Sequence, residues 1–144
     1  MKNILSRLLE IDLPERQSAF LWGPRRTGKT YWIKQHFADA PLIDLLKTDV
    51  FADYASRPSL LRERFQNHAG LIVIDEIQML PDLLNEIHWM IENTQASFLM
   101  TGSSARKLRR SHANLLAGRA WRYTMKPISH METEGFELEE IFLS

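Results

Sequence analysis

The chain contains no cysteine, which excludes disulfide bonds and thiolate metal sites and fits a reducing compartment such as the cytoplasm. It also contains no apolar run near the ~20 residues of a membrane-spanning helix. The first seven residues lack the apolar stretch of a signal peptide, and the five histidines do not have the paired spacing of metal ligands. We therefore expect a soluble cytoplasmic protein with no membrane association.

Neither sign of charge is in excess, since Lys plus Arg and Asp plus Glu both number 18. The bases are nevertheless concentrated, because residues 93–131 contain no acid and residues 127–144 contain five glutamates and no Lys or Arg. Nucleic-acid binding by this basic stretch would rest on charge alone, and solvated helix faces explain it as well. The bases concerned are Arg106, Lys107, Arg109, Arg110, Arg119, Arg122 and Lys126.

The alternation of short apolar runs with amphipathic segments over 144 residues predicts one α/β domain with a mostly parallel sheet. Connections between parallel strands would bring the turns that follow the strands to one edge of the sheet. Five strands are predicted, at 19–22, 42–46, 71–74, 97–101 and 120–123. Helices are predicted at 3–10, 29–38, about 58–68, from 81 onwards, and at about 104–116.

The segment 23–30 has the pattern G-x-x-x-x-G-K-T between a predicted strand and a predicted helix. Glycines there let backbone N–H groups surround phosphate oxygens, and the helix adds its positive end. Lys29 would reach the β- and γ-phosphates, and the Thr30 hydroxyl would be a Mg²⁺ ligand. The residues expected to bind the nucleotide are Gly23, Pro24, Arg25, Arg26, Thr27, Gly28, Lys29, Thr30 and Tyr31.

Two acids, Asp75 and Glu76, follow the apolar strand predicted at 71–74. Asp75 is the expected Mg²⁺ ligand, together with Thr30, and Glu76 would polarise a water molecule that attacks the γ-phosphate. A strand that merely ends in solvated acids is the plainer alternative. The position of the pair downstream of the phosphate-binding segment favours the catalytic interpretation.

Two further features complete the candidate site. A small hydroxyl in the segment Thr101–Ser104, at the end of the strand predicted at 97–101, could bond the γ-phosphate or the attacking water, although Ser103 or Ser104 could instead cap the helix that follows. An arginine could stabilise the charge of phosphoryl transfer, in cis or in trans. The residue types leave the arginine open among Arg25, Arg106, Arg109, Arg110 and Arg119.

Taken together, these segments resemble a family of prokaryotic AAA-type ATPases, in which an N-terminal ATP-binding domain precedes a C-terminal domain of unknown function. The resemblance is carried by residues 23–30, 74–78 with Pro81, 101–104, 116–119 and 127–129. It implies a three-layer P-loop NTPase with five strands, in which the strand ending at Thr101 separates the Asp75 strand from the phosphate-loop strand. It also implies Ser103 as the sensor and Arg119 as the arginine finger.

The resemblance assigns residues 1–130 to the ATP-binding domain. Residues 131–144 would then be an acidic tail or the start of a second domain that is missing here, and the motif after Pro127 is kept only loosely. The expected activity is ATP binding and Mg²⁺-dependent ATP hydrolysis coupled to a conformational change. One alternative is an ATP-binding switch with little hydrolysis. Another is a P-loop kinase, although a water-activating acid such as Glu76 would waste ATP in a kinase. ATP and ADP are the expected ligands, and a protein partner or self-association is possible.

Overall fold

A computed structural model describes residues 18–23, 33–35, 37–103, 120–126 and 137–143, the last two ranges by backbone alone. Residues 33–35 form a helical turn. The strands are β1 (Ser18–Trp22), β2 (Leu42–Asp44), β3 (Gly70–Asp75), β4 (Ala96–Gly102), β5 (Ala120–Lys126) and β6 (Glu137–Leu143). The helices are α1 (Thr48–Ser56), α2 (Leu60–Phe65) and α3 (Leu83–Asn93), with a 3-10 turn at Ile77–Met79.

The six strands form one sheet in the order β2-β3-β4-β1-β5-β6. Every neighbouring pair is parallel except β5 with β6, which is antiparallel. The five predicted strands are therefore the five parallel ones, and the predicted α/β fold is confirmed. The order also confirms that β4 lies between β1 and β3, so these three strands end at the same edge of the sheet.

Several boundaries differ from the predicted ones. β2 ends at Asp44 rather than at residue 46, because Asp44 forms a turn. Its side-chain carboxylate accepts a hydrogen bond from the Leu46 N–H at 3.0 Å, and its backbone carbonyl accepts one from the Lys47 N–H at 3.1 Å. The helix predicted over 58–68 is shorter, and α1 precedes it. β6 lies within the segment predicted to be a tail or the start of a second domain, and its backbone joins the edge of the sheet beside β5. The division into domains stays a prediction.

Both faces of the central strands are buried, which explains why these strands are apolar without alternation. On one face, side chains that include Phe20, Ile72 and Phe98 form a continuous core with the three helices. On the other face, Leu21 and Leu99 are also buried. This packing holds the strand ends, and so the residues that follow them, in fixed positions.

The helix α3 packs its apolar face on the sheet and presents its other face to solvent. Trp89 lies on the outer face with 45% of its surface exposed, and the Arg62 guanidinium lies 5.5 Å from its ring centroid. Arg62 also bonds Glu86 at 3.0 Å. No helix in the described part of the chain is long and apolar enough to cross a membrane.

Two leucines allow a matched test of the core. Leu61 is fully buried, whereas Leu46 is 46% exposed in the turn after β2. We expect Leu61→Ala to lower the free energy of unfolding by about 2–5 kcal/mol, because it removes buried methyl groups and leaves a cavity. Leu46→Ala should cost less than about 1 kcal/mol. Urea denaturation measures both values, and equal losses would contradict this assignment of the core.

Candidate functional site

Three parallel strands end side by side where the segment with the P-loop pattern begins. Trp22 at the end of β1 is opposite Gly102 at the end of β4, and the Gly23 N–H donates to the Gly102 carbonyl at 2.9 Å. Gly23 is therefore fixed to the neighbouring strand at the residue where the P-loop pattern starts. Residues 24–32 lie outside the described residues.

Asp75 is the last residue of β3 and is only 2% exposed. The hydroxyl of Thr101, a fully buried residue of the adjacent strand β4, donates a hydrogen bond to Asp75 Oδ1 at 2.5 Å. A buried carboxylate requires such donors, since its transfer from water is otherwise costly. The contact fixes the orientation of the Asp75 carboxylate at the sheet edge.

Glu76 follows directly and leaves the strand conformation. Its backbone is left-handed (φ 65°, ψ 54°), and it is the single non-glycine residue with positive φ in the described part of the chain. Its N–H donates to Thr101 Oγ1 at 3.2 Å. Consecutive side chains of a strand point to opposite faces, and the left-handed residue breaks this alternation. The left-handed conformation costs about 1–3 kcal/mol. Glu76, like Asp75 before it, is buried, with 3% of its surface exposed.

The side chain of Gln78 connects Glu76 to Ser103. Gln78 lies in the 3-10 turn after β3 and is 7% exposed. Its Nε2 donates to Glu76 Oε1 at 2.6 Å and to Ser103 Oγ at 3.3 Å. Its Oε1 is buried and accepts no hydrogen bond from the described residues, which costs about 1–3 kcal/mol.

Gly102 provides the space that this arrangement needs. A Cβ at this position would overlap the Trp22 ring and the Gln78 amide oxygen. Trp22 is in turn held by stacking on Phe20, with ring centroids 5.2 Å apart. The glycine between Thr101 and Ser103 is therefore required by close approach.

The structure brings together three of the predicted site residues, Asp75, Glu76 and Ser103, and fixes Gly23 nearby. Two contributors were missed, the Thr101 hydroxyl and the Gln78 amide. Both occur in the stretches that carry the family resemblance, but neither had been predicted to contact the two acids. The predicted site residues outside the described ranges are Pro24, Arg25, Arg26, Thr27, Gly28, Lys29, Thr30, Tyr31 and Arg119.

The donor set at this edge fits Mg²⁺ bound together with a nucleotide. Magnesium in phosphate sites is held by one or two protein oxygens, with phosphate oxygens and water supplying the other ligands. Asp75 offers such a carboxylate at a buried strand end. No group of three or more His, Asp or Glu able to hold a metal occurs among the described residues, so an all-protein metal cage is not found in that part of the chain.

A family model described as an AAA domain matches residues 15–134. The chain belongs to this AAA domain family. The match covers the P-loop pattern, the acidic pair and the Ser103 segment, and it supports nucleotide binding by the chain.

The fold also resembles solved structures, of which 32 chains match. One is the Walker-type ATPase PABY2304 of Pyrococcus abyssi, with a TM-score of 0.58 and 18% sequence identity. The similarity covers 86% of this chain and 53% of that chain, so this chain spans about half the length of its structural neighbour. At this identity the similarity supports the fold. No curated protein matches the sequence.

The Thr101 hydroxyl can be tested by an almost isosteric change. We expect Thr101→Val to lower the free energy of unfolding by about 1–3 kcal/mol, because it removes two buried hydrogen bonds, one to the Glu76 N–H and one to the Asp75 carboxylate. Thr48→Val makes the same change at an exposed position. It should alter stability by less than about 0.5 kcal/mol. Chemical denaturation of both variants measures the difference, and a neutral Thr101→Val would disprove the structural role of this hydroxyl.

Proposed function

We propose that this domain binds Mg·ATP and hydrolyses the bond between the β- and γ-phosphates. The observation that carries the proposal is the burial of Glu76, which directly follows Asp75. The side chain of Gln78 connects its carboxylate to Ser103. This group lies at the sheet edge where the P-loop pattern leaves β1. A solvated pair of acids, the plainer alternative, would not be 2–3% exposed or fixed by neighbouring side chains.

Nucleotide binding would use the segment that starts at Gly23. Backbone N–H groups of residues 24–30 would surround the phosphates, and Lys29 would contact the β- and γ-phosphate oxygens. Thr30 and Asp75 would hold Mg²⁺, which when bound neutralises charge on those oxygens. The bond between Gly23 and Gly102 supports this arrangement, because it anchors the first residue of the segment to a buried strand.

Hydrolysis would use Glu76 as the general base. The oxygen of a water molecule attacks the γ-phosphorus while a proton of that water passes to the Glu76 carboxylate. The bond to the bridging oxygen breaks, and ADP leaves with its electron pair. Lys29 and Arg119 would stabilise charge on the equatorial oxygens. Arg119 could act within the chain or on a second copy, which would make self-association part of the cycle.

Ser103 would contact the γ-phosphate and so distinguish ATP from ADP. The contacts of the two preceding residues support a coupling between the bound nucleotide and the conformation of the domain. Thr101 bonds Asp75 and Glu76, and Gly102 bonds Gly23. A displacement of the end of β4 would therefore change its contacts with both neighbouring strands, β1 and β3. We infer that the nucleotide state changes the conformation through this strand end.

The base can be tested by a paired substitution. We expect Glu76→Gln to reduce the rate of phosphate release from Mg·ATP by about 10²–10⁴-fold, because the amide cannot accept the proton. ATP affinity should be retained, as measured by titration with a fluorescent ATP analogue. Glu92→Gln, the same change at an exposed position of α3, should leave the rate within two-fold (about the usual scatter of surface changes). Equal rates in wild type and Glu76→Gln would remove Glu76 from the mechanism.

Binding and turnover must be separated in the same experiment. Lys29→Ala should abolish nucleotide affinity, while Lys34→Ala, at an exposed helical position, should preserve it. Tight binding by the wild type without phosphate release would favour the switch module over the hydrolase. Phosphate transferred to an added small acceptor, instead of to water, would indicate a kinase.

A further inference from the structure

Gln78 is a buried polar residue to which the proposed reaction assigns no role. It lies on the short turn between β3 and α3, where its neighbour Ile77 is fully buried. Backbone bonds from Met79 to Glu76 at 3.0 Å and from Leu80 to Ile77 at 3.1 Å hold the turn. The position of the Gln78 side chain therefore follows from a well-anchored backbone.

The orientation of the Gln78 amide is set by the carboxylate that it contacts. An ionised carboxylate only accepts hydrogen bonds, so the NH₂ group rather than the oxygen faces Glu76 Oε1 at 2.6 Å. The second hydrogen of the same NH₂ group is available for Ser103 Oγ at 3.3 Å. One planar group thus connects the proposed base to the proposed γ-phosphate sensor.

The same orientation lowers stability, because it leaves the amide oxygen of Gln78 without a hydrogen bond. The amide oxygen is buried next to Gly102, where an added Cβ would overlap it, and it has no hydrogen-bond partner in the described part of the chain. A methionine has the same length and would fill this space without an unpaired acceptor. Packing alone therefore does not explain the glutamine, whereas the two contacts of its NH₂ group do.

The two contacts are also mechanically linked. Both hydrogens lie in one amide plane, so a rotation that shortens the contact to Ser103 displaces the hydrogen that faces Glu76. The Gly102 position lacks a Cβ that would occupy this space. A change in the position of Ser103 can therefore reorient the Glu76 carboxylate.

We propose that Gln78 is a positioning residue that holds the Glu76 carboxylate and couples it to the contact between Ser103 and the γ-phosphate. The proposal rests on the proposed ATP hydrolysis and adds a regulation to it. When Ser103 contacts a γ-phosphate, the Glu76 carboxylate would be oriented to accept a proton from the attacking water. When ADP is bound, the carboxylate would have a different orientation.

The first test is Gln78→Met. We expect kcat for Mg·ATP hydrolysis to fall about 10- to 100-fold, because a misplaced catalytic group loses its alignment, while KM changes less than two-fold. The melting temperature should change little, since removal of the unpaired oxygen opposes the loss of the hydrogen bonds to Glu76 and Ser103. Gln66→Met, the same change at an exposed position, should affect neither value. A lower melting temperature with an unchanged kcat would show a structural role and overturn the proposal.

The coupling is tested by combining Gln78→Met with Ser103→Ala. If both act through one amide, the loss of kcat in the double variant should be clearly smaller than the product of the two single losses. Losses that multiply would show that the two residues act independently, and this result would contradict the coupling.

A measurement that needs no turnover separates failure of this proposal from failure of the hydrolase assignment. In ¹⁵N–¹H spectra, the side-chain NH₂ signals of Gln78 are identified by their loss in Gln78→Met. They should shift in Glu76→Gln and in Ser103→Ala, and should differ between Mg·ADP and a non-hydrolysable Mg·ATP analogue. If the wild type binds ATP without releasing phosphate, hydrolysis is rejected and these shifts alone decide the coupling. Signals that do not respond would overturn it.

Discussion

The hydroxyl of Thr101 links the two acids of the site, and the local structure depends on this contact. It donates to the Asp75 carboxylate and accepts the backbone N–H of Glu76, so one side-chain oxygen serves two residues of the adjacent strand. The left-handed turn at Glu76 requires a partner for that buried N–H. Thr101 supplies it because the sheet order places β4 directly beside β3.

The unfavourable features of the described structure are concentrated at this edge of the sheet. They are the left-handed backbone of Glu76, the unpaired oxygen of Gln78 and the buried indole nitrogen of Trp22, which also has no partner among the described residues. The core below them is apolar and well packed. Local strain of this kind persists only where the surrounding structure determines it strongly, and the buried strands supply that support. The pattern is the one expected where stability is exchanged for function.

The parallel strands were predicted to within a few residues, because strands buried on both faces consist of nearly continuous apolar residues. The placement of Asp75, Glu76 and Ser103 at one edge of the sheet could also be inferred from their order after the apolar strands, whereas their chemical roles stay predictions. The conformation of Glu76 could not, because it depends on a bond to a residue 25 positions later. The proposed role of Gln78 could not be predicted either, because it depends on a contact with Ser103, which is also 25 positions later in the sequence. β6 was missed because its glutamates resemble a solvated tail, and only pairing with β5 makes it a strand.

Three consecutive residues at the end of β4 each contact a different part of the site. Thr101 bonds the acids, Gly102 bonds Gly23 at the start of the P-loop pattern, and Ser103 contacts Gln78. β4 is buried along its whole length, and a close-packed strand cannot absorb a displacement of its end by local rearrangement. A shift of Ser103 would therefore be transmitted to the phosphate-binding segment and to the acids together. If the domain works as proposed, the end of β4, rather than the P-loop pattern alone, is the element through which it would distinguish one nucleotide state from another.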